Sequence, residues 1–247
     1  MDELVHYDVA DGVATLTLDS PHNRNALSRQ LVSELFDGLD RAEADGAAKV
    51  VLLRSADRVF CSGADLSEAS GEGMAEGARR IVELQRRIVA SPKPVVVRLD
   101  GPVRAGGIGI VAAADIAIAA RGATFALTEV RLGLAAAIIS LTVFHRMTSR
   151  AASRAALTGE TFDAGTAADW GLVTEVTEDV DGAVAAVLAD LGKGHPQGLR
   201  ESKRVLNAEL LARIEGRGQE MAELSAELFG SEAAREAMHA FLSKKSG

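Results

Sequence analysis

The chain has 247 residues, of which 47% are hydrophobic and 4% aromatic, so it can build a full core mainly from Ala, Val, Leu and Ile. Its net charge of -8 argues against a general nucleic-acid binder and is compatible with an anionic small ligand held locally. Cys61 is the only cysteine, the acidic N-terminus lacks a signal-peptide core, and no uninterrupted apolar run reaches 18 residues. We therefore expect a soluble, cytoplasmic protein without a membrane segment, an internal disulfide or a bound metal.

The apolar patterns predict an alternation of strands and helices that becomes almost wholly helical after residue 179. Asp11-Gly12 is a hairpin turn signal, Ser28 and Asp163 are candidate helix N-caps, and a Gly- and Glu-rich segment over 67–77 is typical of a mobile loop. In chain order, we predict strands at 4–9, 13–18, 50–53, 95–97, 116–118, 124–126 and 172–176, and helices at 28–44, 78–90, from 106, 138–147, 150–157 and 163–169.

Two turns of unusual composition each follow a predicted buried strand. One contains Ser62-Gly63-Ala64-Asp65, and the other contains Arg104-Ala105-Gly106-Gly107. Turns at neighbouring strand ends can place their backbone N–H groups side by side, and two such donors can stabilise one developing oxyanion. Small residues suit this role because a branched side chain would block the approach of a ligand carbonyl.

Four segments in order make the chain resemble the enoyl-CoA hydratase/isomerase (crotonase) superfamily over nearly its whole length. They are Asn25-Ala26-Leu27, Phe60 to Leu66, the Gly106-Gly107 turn, and Thr128 to Leu134. The resemblance implies an α/β fold: a spiral of repeated ββα units over residues 1–190, followed by a helical oligomerisation region over 191–247.

The resemblance also implies roles for individual residues. Ala64 and Gly106 match the backbone oxyanion-hole donors, and Glu129 matches one of two catalytic glutamates. No separate cofactor is implied, because coenzyme A is part of the substrate. The residues implied to contact the substrate or its CoA portion are Arg24, Ala26, Leu27, Ser62, Asp65, Leu66 and Gly107.

The second family glutamate is missing, because Gly109 stands at its position three residues after Gly106. A water molecule would then need Glu129 and another group, and spacing does not choose among Glu68, Glu72 and Glu76. The family's dienoyl-CoA isomerases carry an acid where this chain has Ala137, which disfavours that subclass.

Several polar residues also have purely structural interpretations. Asp65 can cap the helix that follows Ala64, and Asp115 can be a buried, hydrogen-bonded acid. Cys61 is interpreted as a small core residue, and His22 and His145 as loop and surface residues.

The C-terminal region is expected to form subunit contacts. Met221, Leu224 and Leu228 form a stripe at helical spacing, which predicts one buried face. The resemblance implies a homotrimer, often paired into a hexamer, in which a neighbour's tail closes the CoA site. Phe241 and Lys244 are the candidate tail residues.

The leading hypothesis is hydration of a 2-enoyl-CoA thioester, with Glu129 as the acid and base. The alternatives are a Δ3,Δ2-enoyl-CoA isomerase, which needs one carboxylate, and a non-catalytic acyl-CoA-binding protein. The chain is also similar to a hydratase branch for branched or carboxylated enoyl-CoAs, including methylglutaconyl-CoA-like substrates. In that case Arg104 and Arg131 are candidates to meet a substrate carboxylate.

Overall fold

The computed structural model describes residues 2–68 and 73–243, with side chains described as far as residue 240. Nine strands and ten α-helices are found in this part of the chain. The strands are β1 Val5–Ala10, β2 Val13–Leu18, β3 Val50–Ser55, β4 Val95–Leu99, β5 Val103–Arg104, β6 Ile116–Ala120, β7 Thr124–Ala126, β8 Phe162–Asp163 and β9 Glu175–Thr177. The helices are α1 Arg29–Ala44, α2 Gly73–Ala90, α3 Gly106–Ala113, α4 Ala137–Arg146, α5 Ser149–Thr158, α6 Ala164–Asp169, α7 Val180–Gly192, α8 Pro196–Leu206, α9 Ala208–Gly230 and α10 Glu232–Ser243.

The strands form two sheets. The larger has the order β1-β2-β3-β4-β6-β9, in which the β1–β2 hairpin is antiparallel and every later pair is parallel. The smaller has the order β5-β7-β8. Two isolated parallel bridges, between Leu27 and Ala64 and between Cys61 and Val103, continue strand-like pairing from the smaller sheet toward the N-terminal segments.

The larger sheet and this second layer of pairing produce a repeated ββα unit. Strands β3, β4 and β6 of the larger sheet are each followed by a short extended segment and then by a helix, which is α2, α3 and α4 respectively. The extended segments are the bridge residues Cys61 and Ala64, then β5, then β7. The predicted α/β spiral of ββα units is therefore confirmed, and its repeat lies in the backbone path.

Both faces of the larger sheet are buried, which explains the continuous apolar runs in its central strands. In β3, Val51 and Leu53 join the main core beneath α1, α2 and α9, whereas Val50 and Leu52 join a smaller core. Val184 of α7 belongs to that smaller core. The central strands thus lie between two helical layers.

Local signals located most element ends. Ser28 Oγ accepts a hydrogen bond from the Leu31 N–H at 3.2 Å, and Asp163 Oδ1 accepts one from Thr166 at 2.8 Å. Both predicted N-caps are confirmed, because a cap uses residues only three positions apart.

Two predicted elements start three residues or more away from their observed starts. Helix α2 begins at Gly73, five residues before the predicted start. Gly73 and Gly77 have low helix propensity, but tertiary packing of side chains such as Met74 and Ala78 stabilises this first part of the helix. The strand predicted over 172–176 is found at Glu175–Thr177. Leu172 and Val173, at the start of the predicted range, are buried in the main core outside any strand.

The C-terminal helices are joined to the core. Helix α9 packs along α2 and α4, and its buried face includes Ile214, Met221 and Ser225. Leu224 is exposed, so the predicted stripe is displaced around the helix. Among the described residues, no helix has the length and apolar character needed to cross a membrane.

Candidate active site

The turns singled out from the sequence lie at one edge of the smaller sheet and the two isolated bridges that continue it. Ala64 follows the Cys61 bridge, Gly106 follows β5, and Glu129 follows β7 by three residues. These segments run parallel, because Cys61 pairs with Val103 and β5 pairs with β7 in parallel. Parallel segments end at the same edge, so residues far apart in sequence meet there.

The backbone around the two N–H groups is unusual. Gly63 has φ +101°, a conformation suited to glycine, and Ala105 has φ +45° although it carries a side chain. The Ala105 N–H donates to the Ala126 carbonyl at 3.1 Å, which ties this turn to β7. In the described part of the chain, the N–H groups of Ala64 and Gly106 have no acceptor. Strained backbone of this kind is typical of functional sites.

A third loop, residues 20–27, is hydrogen-bonded to the Ser62 turn and the segment before it. The side chain of buried Asn25 accepts from the Ser20 N–H at 2.7 Å and donates to the Val59 carbonyl at 2.9 Å. The Ser62 N–H in turn donates to the Arg24 carbonyl at 3.1 Å. These bonds place the Arg24 and Ala26 segment at the rim of the site.

A cavity of about 330 Å³ opens between these segments. Eight of the residues predicted from the sequence line this main cavity: Arg24, Ala26, Ser62, Ala64, Asp65, Leu66, Gly106 and Glu129. A smaller compartment adjoins it and shares the walls Ala64, Asp65, Ile81, Ile138, Ser225 and Phe229. Leu27 lines this side compartment. The cavity walls are mainly apolar, which strengthens electrostatic interactions with a bound group.

Glu129 places a carboxyl group at the wall of this cavity. It is the first residue of a single 3-10 turn, Glu129–Leu132, and its Oε2 atom is buried with no hydrogen bond among the described residues. Burial raises the pKa of Glu129 from 4.5 to about 7, although a hydrogen bond from its own backbone opposes the shift. A carboxyl group with this pKa can both take and return a proton near neutral pH.

The position of the missing glutamate is closed by packing. A Cβ added to Gly109 would lie 2.7 Å from Ile139 Cγ2 and 3.1 Å from Gln85 Oε1. Gln85 is itself bound, since the Thr142 hydroxyl donates to its Oε1 at 2.6 Å and its Nε2 donates to the Ile138 carbonyl at 3.1 Å. Position 109 therefore faces a filled polar and apolar core, with no space for a second carboxylate.

Other predicted contact residues lie elsewhere. A Cβ added to Gly107 would lie 2.6 Å from the Cys61 Cβ. Gly107 therefore allows the backbone to pack closely against Cys61 behind the cavity. The side chain of Phe241 and all of Lys244 lie outside the described residues. Arg104 donates to the carbonyls of Val103 and Thr124 and to the Thr124 hydroxyl, so its guanidinium is used structurally.

The structural interpretations of other polar residues are confirmed. Asp65 Oδ1 accepts from the Ser67 N–H and hydroxyl, and its Oδ2 accepts from Asn23. Burial tends to raise the pKa of Asp65, but these hydrogen bonds outweigh it and lower the pKa. Burial also raises the pKa of the Cys61 thiol to about 12, which leaves it unreactive.

Asp115 is likewise a structural acid. Its Oδ2 accepts from the Val95 N–H at 2.7 Å, and its Oδ1 accepts from Asn207 at 2.9 Å. Lys203 forms an ion pair with it at 2.8 Å.

The sequence reasoning did not find several cavity walls. Ser225 and Phe229 come from α9, about a hundred residues after Glu129 in the chain, and Ile138 and Ile139 come from α4. The spacing Met221, Ser225, Phe229 is a signal of one helical face, but a serine in the middle hides it from a hydrophobicity pattern.

Comparison with known proteins shows the family and the fold of the chain. A family model described as enoyl-CoA hydratase/isomerase matches residues 8–247. The chain is 32% identical over 247 residues to a probable enoyl-CoA hydratase of Rhodobacter capsulatus, covering 98% of this chain and 95% of that protein. It is 33% identical to a 1,2-epoxyphenylacetyl-CoA isomerase of Escherichia coli, covering 72% and 71%. A crystal structure of an enoyl-CoA hydratase from Mycobacterium avium superposes with a TM-score of 0.93 at 49% identity, covering 99% of this chain and 98% of that chain.

Proposed function

The chain belongs to the enoyl-CoA hydratase/isomerase family and is an enzyme of that family, and we propose that it adds water to a 2-enoyl-CoA thioester in the Glu129 cavity. The proposal rests on one observation. The Glu129 carboxyl group, whose Oε2 atom is buried and whose pKa is raised, shares an apolar cavity with the N–H groups of Ala64 and Gly106, which have no acceptor among the described residues. A base and two oxyanion donors are the groups that enolate chemistry needs.

In the proposed reaction, the Glu129 carboxylate takes a proton from water and the resulting hydroxide adds to C3 of the enoyl group. The C2=C3 electrons move toward the thioester, whose oxygen carries the negative charge of the enolate. The N–H groups of Ala64 and Gly106 donate to that oxygen, and the loss of one such donor typically costs about 10²–10³-fold in rate. The Glu129 carboxyl then returns its proton to C2, which restores the carboxylate.

The CoA portion of the substrate is proposed to extend out of the cavity past the loop of residues 20–27. Arg24 is an exposed cation at this rim, next to Ala26, Ser62 and Leu66. A guanidinium there suits a phosphate-bearing ligand. This assignment also accounts for how an acidic chain attracts an anionic ester, since the cation is local.

Isomerisation of a 3-enoyl-CoA is the second candidate, and a specific observation favours it. The packing of Ile139 and Gln85 against Gly109 excludes a second glutamate at that position, so Glu129 is the glutamate of the two-glutamate pattern that remains. One carboxylate is enough to move a proton from C2 to C4 through the same enolate. Some relatives of the chain are named as isomerases, including the Escherichia coli protein.

Turnover assays with a matched variant distinguish these reactions. Purified enzyme is offered crotonyl-CoA and 3-hexenoyl-CoA, and the products are separated by chromatography. Hydration is expected on the first substrate, and Glu129→Gln should lower kcat by about 10²–10⁴-fold while the protein still binds the ester. If only the 3-enoyl substrate reacts, the isomerase is correct. Equal rates for Glu129→Gln and the parent would remove Glu129 from either mechanism.

A further inference from the structure

The side compartment next to the main cavity contains an unpaired cation. Arg80 of α2 lines this compartment, and its Nε and Nη2 atoms are both buried without a hydrogen-bond partner among the described residues. Its guanidinium carbon lies 5.1 Å from the centre of the Phe36 ring, which supports one face of the group. That stacking does not satisfy the N–H donors at its edge.

The same edge of the guanidinium binds carboxylates elsewhere in this protein. Arg86 donates from Nε and Nη2 to the two oxygens of Glu83, at 2.7 and 2.8 Å. Arg98 does so to Asp100, at 2.9 Å for both bonds. The unpaired edge of Arg80 is therefore a bidentate fork, and a carboxylate is the group that matches it in shape and charge.

Charged neighbours in the compartment have other partners. Glu68 accepts a hydrogen bond from the Arg29 backbone N–H at 2.9 Å, and Glu76 pairs with Arg79 at 3.0 Å. Arg29 itself is an exposed second cation in the compartment wall. In the described part of the chain, neither Glu68 nor Glu76 forms an ion pair with Arg80.

The compartment is continuous with the reacting end of the main cavity. Ala64, whose N–H is one oxyanion donor, lines both spaces, as do the apolar side chains of Ile81 and Ile138. Ile81 is next to Arg80 in α2. An acyl chain with its thioester at Ala64 can thus run along apolar walls and end near Arg80.

We propose that Arg80 binds a carboxylate at the far end of the acyl chain, so that the enzyme prefers CoA monoesters of dicarboxylic acids. This inference deepens the proposed function and assumes that the main cavity holds an acyl-CoA thioester. The two arginines considered from the sequence do not compete for this role, because Arg104 is tied to backbone carbonyls and Arg131 is exposed beside Gly159.

Binding measurements test the preference independently of turnover. Saturated CoA monoesters of C5 to C8 dicarboxylic acids are compared by calorimetry with monocarboxylic esters of equal chain length. At least one dicarboxylic ester should bind about 10- to 100-fold more tightly than its partner, as expected for charge-assisted hydrogen bonds in a buried site. Arg80→Met should abolish this difference, while the Kd of the monocarboxylic ester stays equal or falls.

Matched variants on the same helix control for general effects. Arg79→Met removes a neighbouring exposed cation that pairs with Glu76, and it should keep the preference. Arg80→Lys should keep only part of it, because an ammonium lacks the planar fork. Circular dichroism shows whether Arg80→Met folds. If it does not, Arg80→Lys is the variant in which the loss of preference is measured.

The outcomes separate the Arg80 assignment from the proposed hydration. Preference lost in Arg80→Met supports the assignment, even if crotonyl-CoA and 3-hexenoyl-CoA are not turned over. Equal binding of both ester classes by the parent overturns it, even if the enzyme is an active hydratase.

Discussion

At the scale of single residues, the environment of Glu129 destabilises its charged form and thereby suits it to proton transfer. Its buried Oε2 atom has no partner among the described residues, so the charged form is destabilised and the pKa rises to about 7. The same atom belongs to the carboxyl group that lines the cavity beside Ala64 and Gly106. A hydrogen-bond donor fixed beside Glu129 would lower its pKa and weaken it as a base.

This pKa predicts the pH dependence of the reaction. The proposed first step needs the carboxylate, so kcat/KM should rise with pH, reach half its maximum near pH 7 and then level off. Initial rates with crotonyl-CoA or 3-hexenoyl-CoA between pH 5 and 9 measure the profile. Glu129→Gln should leave a low rate with no inflection near pH 7. An inflection below pH 5 in the parent would contradict the role of burial.

The glycine before the first oxyanion donor offers a second test. Gly63 has φ +101°, and an added Cβ would lie 3.1 Å from the Ala105 Cβ. Gly63→Ala should therefore shift the Ala64 N–H, lowering kcat/KM by about 10²-fold and the unfolding free energy by about 1–3 kcal/mol. Enzyme assays and urea unfolding measure the two effects. Unchanged kcat/KM in a folded variant would separate this turn from catalysis.

At the scale of elements, the contact of α3 with α4 decides whether position 109 can carry a carboxylate. Gly109 of α3 packs against Ile139 of α4, at a distance that leaves no space for a side chain. Gly109 thus replaces the second glutamate of the family pattern, and Ile139 occupies the space next to it. The sequence revealed the glycine, whereas only the packed helices reveal that its surroundings exclude a replacement.

Restoring a glutamate at this position should harm the fold. Gly109→Glu must displace Ile139 and bury a charge, so the unfolding free energy should fall by more than about 3 kcal/mol. The double variant Gly109→Glu with Ile139→Ala should recover part of that loss, which urea unfolding of all four proteins measures as a coupling energy. Gly216→Ala in α9 is the control, since nothing lies within 4 Å of its added Cβ. A stable Gly109→Glu enzyme would contradict the closed packing.

At the scale of the whole molecule, α8 is connected to the core through a buried ion pair. Lys203 donates to the carbonyls of Ile88 and Lys93, at 2.9 and 3.0 Å, and pairs with Asp115 at 2.8 Å. The lysine is 5% exposed, so its charge depends on these partners. This cluster joins the C-terminal helices to the end of α2 and the start of β4.

Breaking this pair should destabilise the entire chain. Lys203→Met leaves the Asp115 carboxylate without its cation, and the unfolding free energy should fall by about 3–5 kcal/mol. Urea unfolding measures it, with Lys193→Met as a surface control because Lys193 pairs with Asp190 in solvent. A change for Lys203→Met no larger than for the control would show that the cluster contributes little.

The division into a core over 1–190 and an oligomerisation region over 191–247 stays a prediction, as does the homotrimer or hexamer. Exposed apolar side chains at Leu157, Val205 and Leu206 are compatible with subunit contacts. Helix α9, however, also supplies Ser225 and Phe229 to the cavity of its own chain. The C-terminal region therefore takes part in the site whatever the assembly.

The sequence by itself determined the features that depend on neighbouring residues. The hairpin at Asp11-Gly12, the caps at Ser28 and Asp163 and the Gly106 helix start all follow from short segments. Turn chemistry and capping act over three or four residues, so a local pattern is sufficient. The short strands β5 and β8 were missed because two residues carry no periodicity.

Only the tertiary structure decided what surrounds these groups. It showed that Ile139 and Gln85 close position 109, that Ser225 and Phe229 complete the cavity, and that Arg80 lines the adjoining compartment. These contacts join segments separated by tens of residues. Their formation depends on how helices and sheets pack, and burial, pKa and charge pairing follow from that packing.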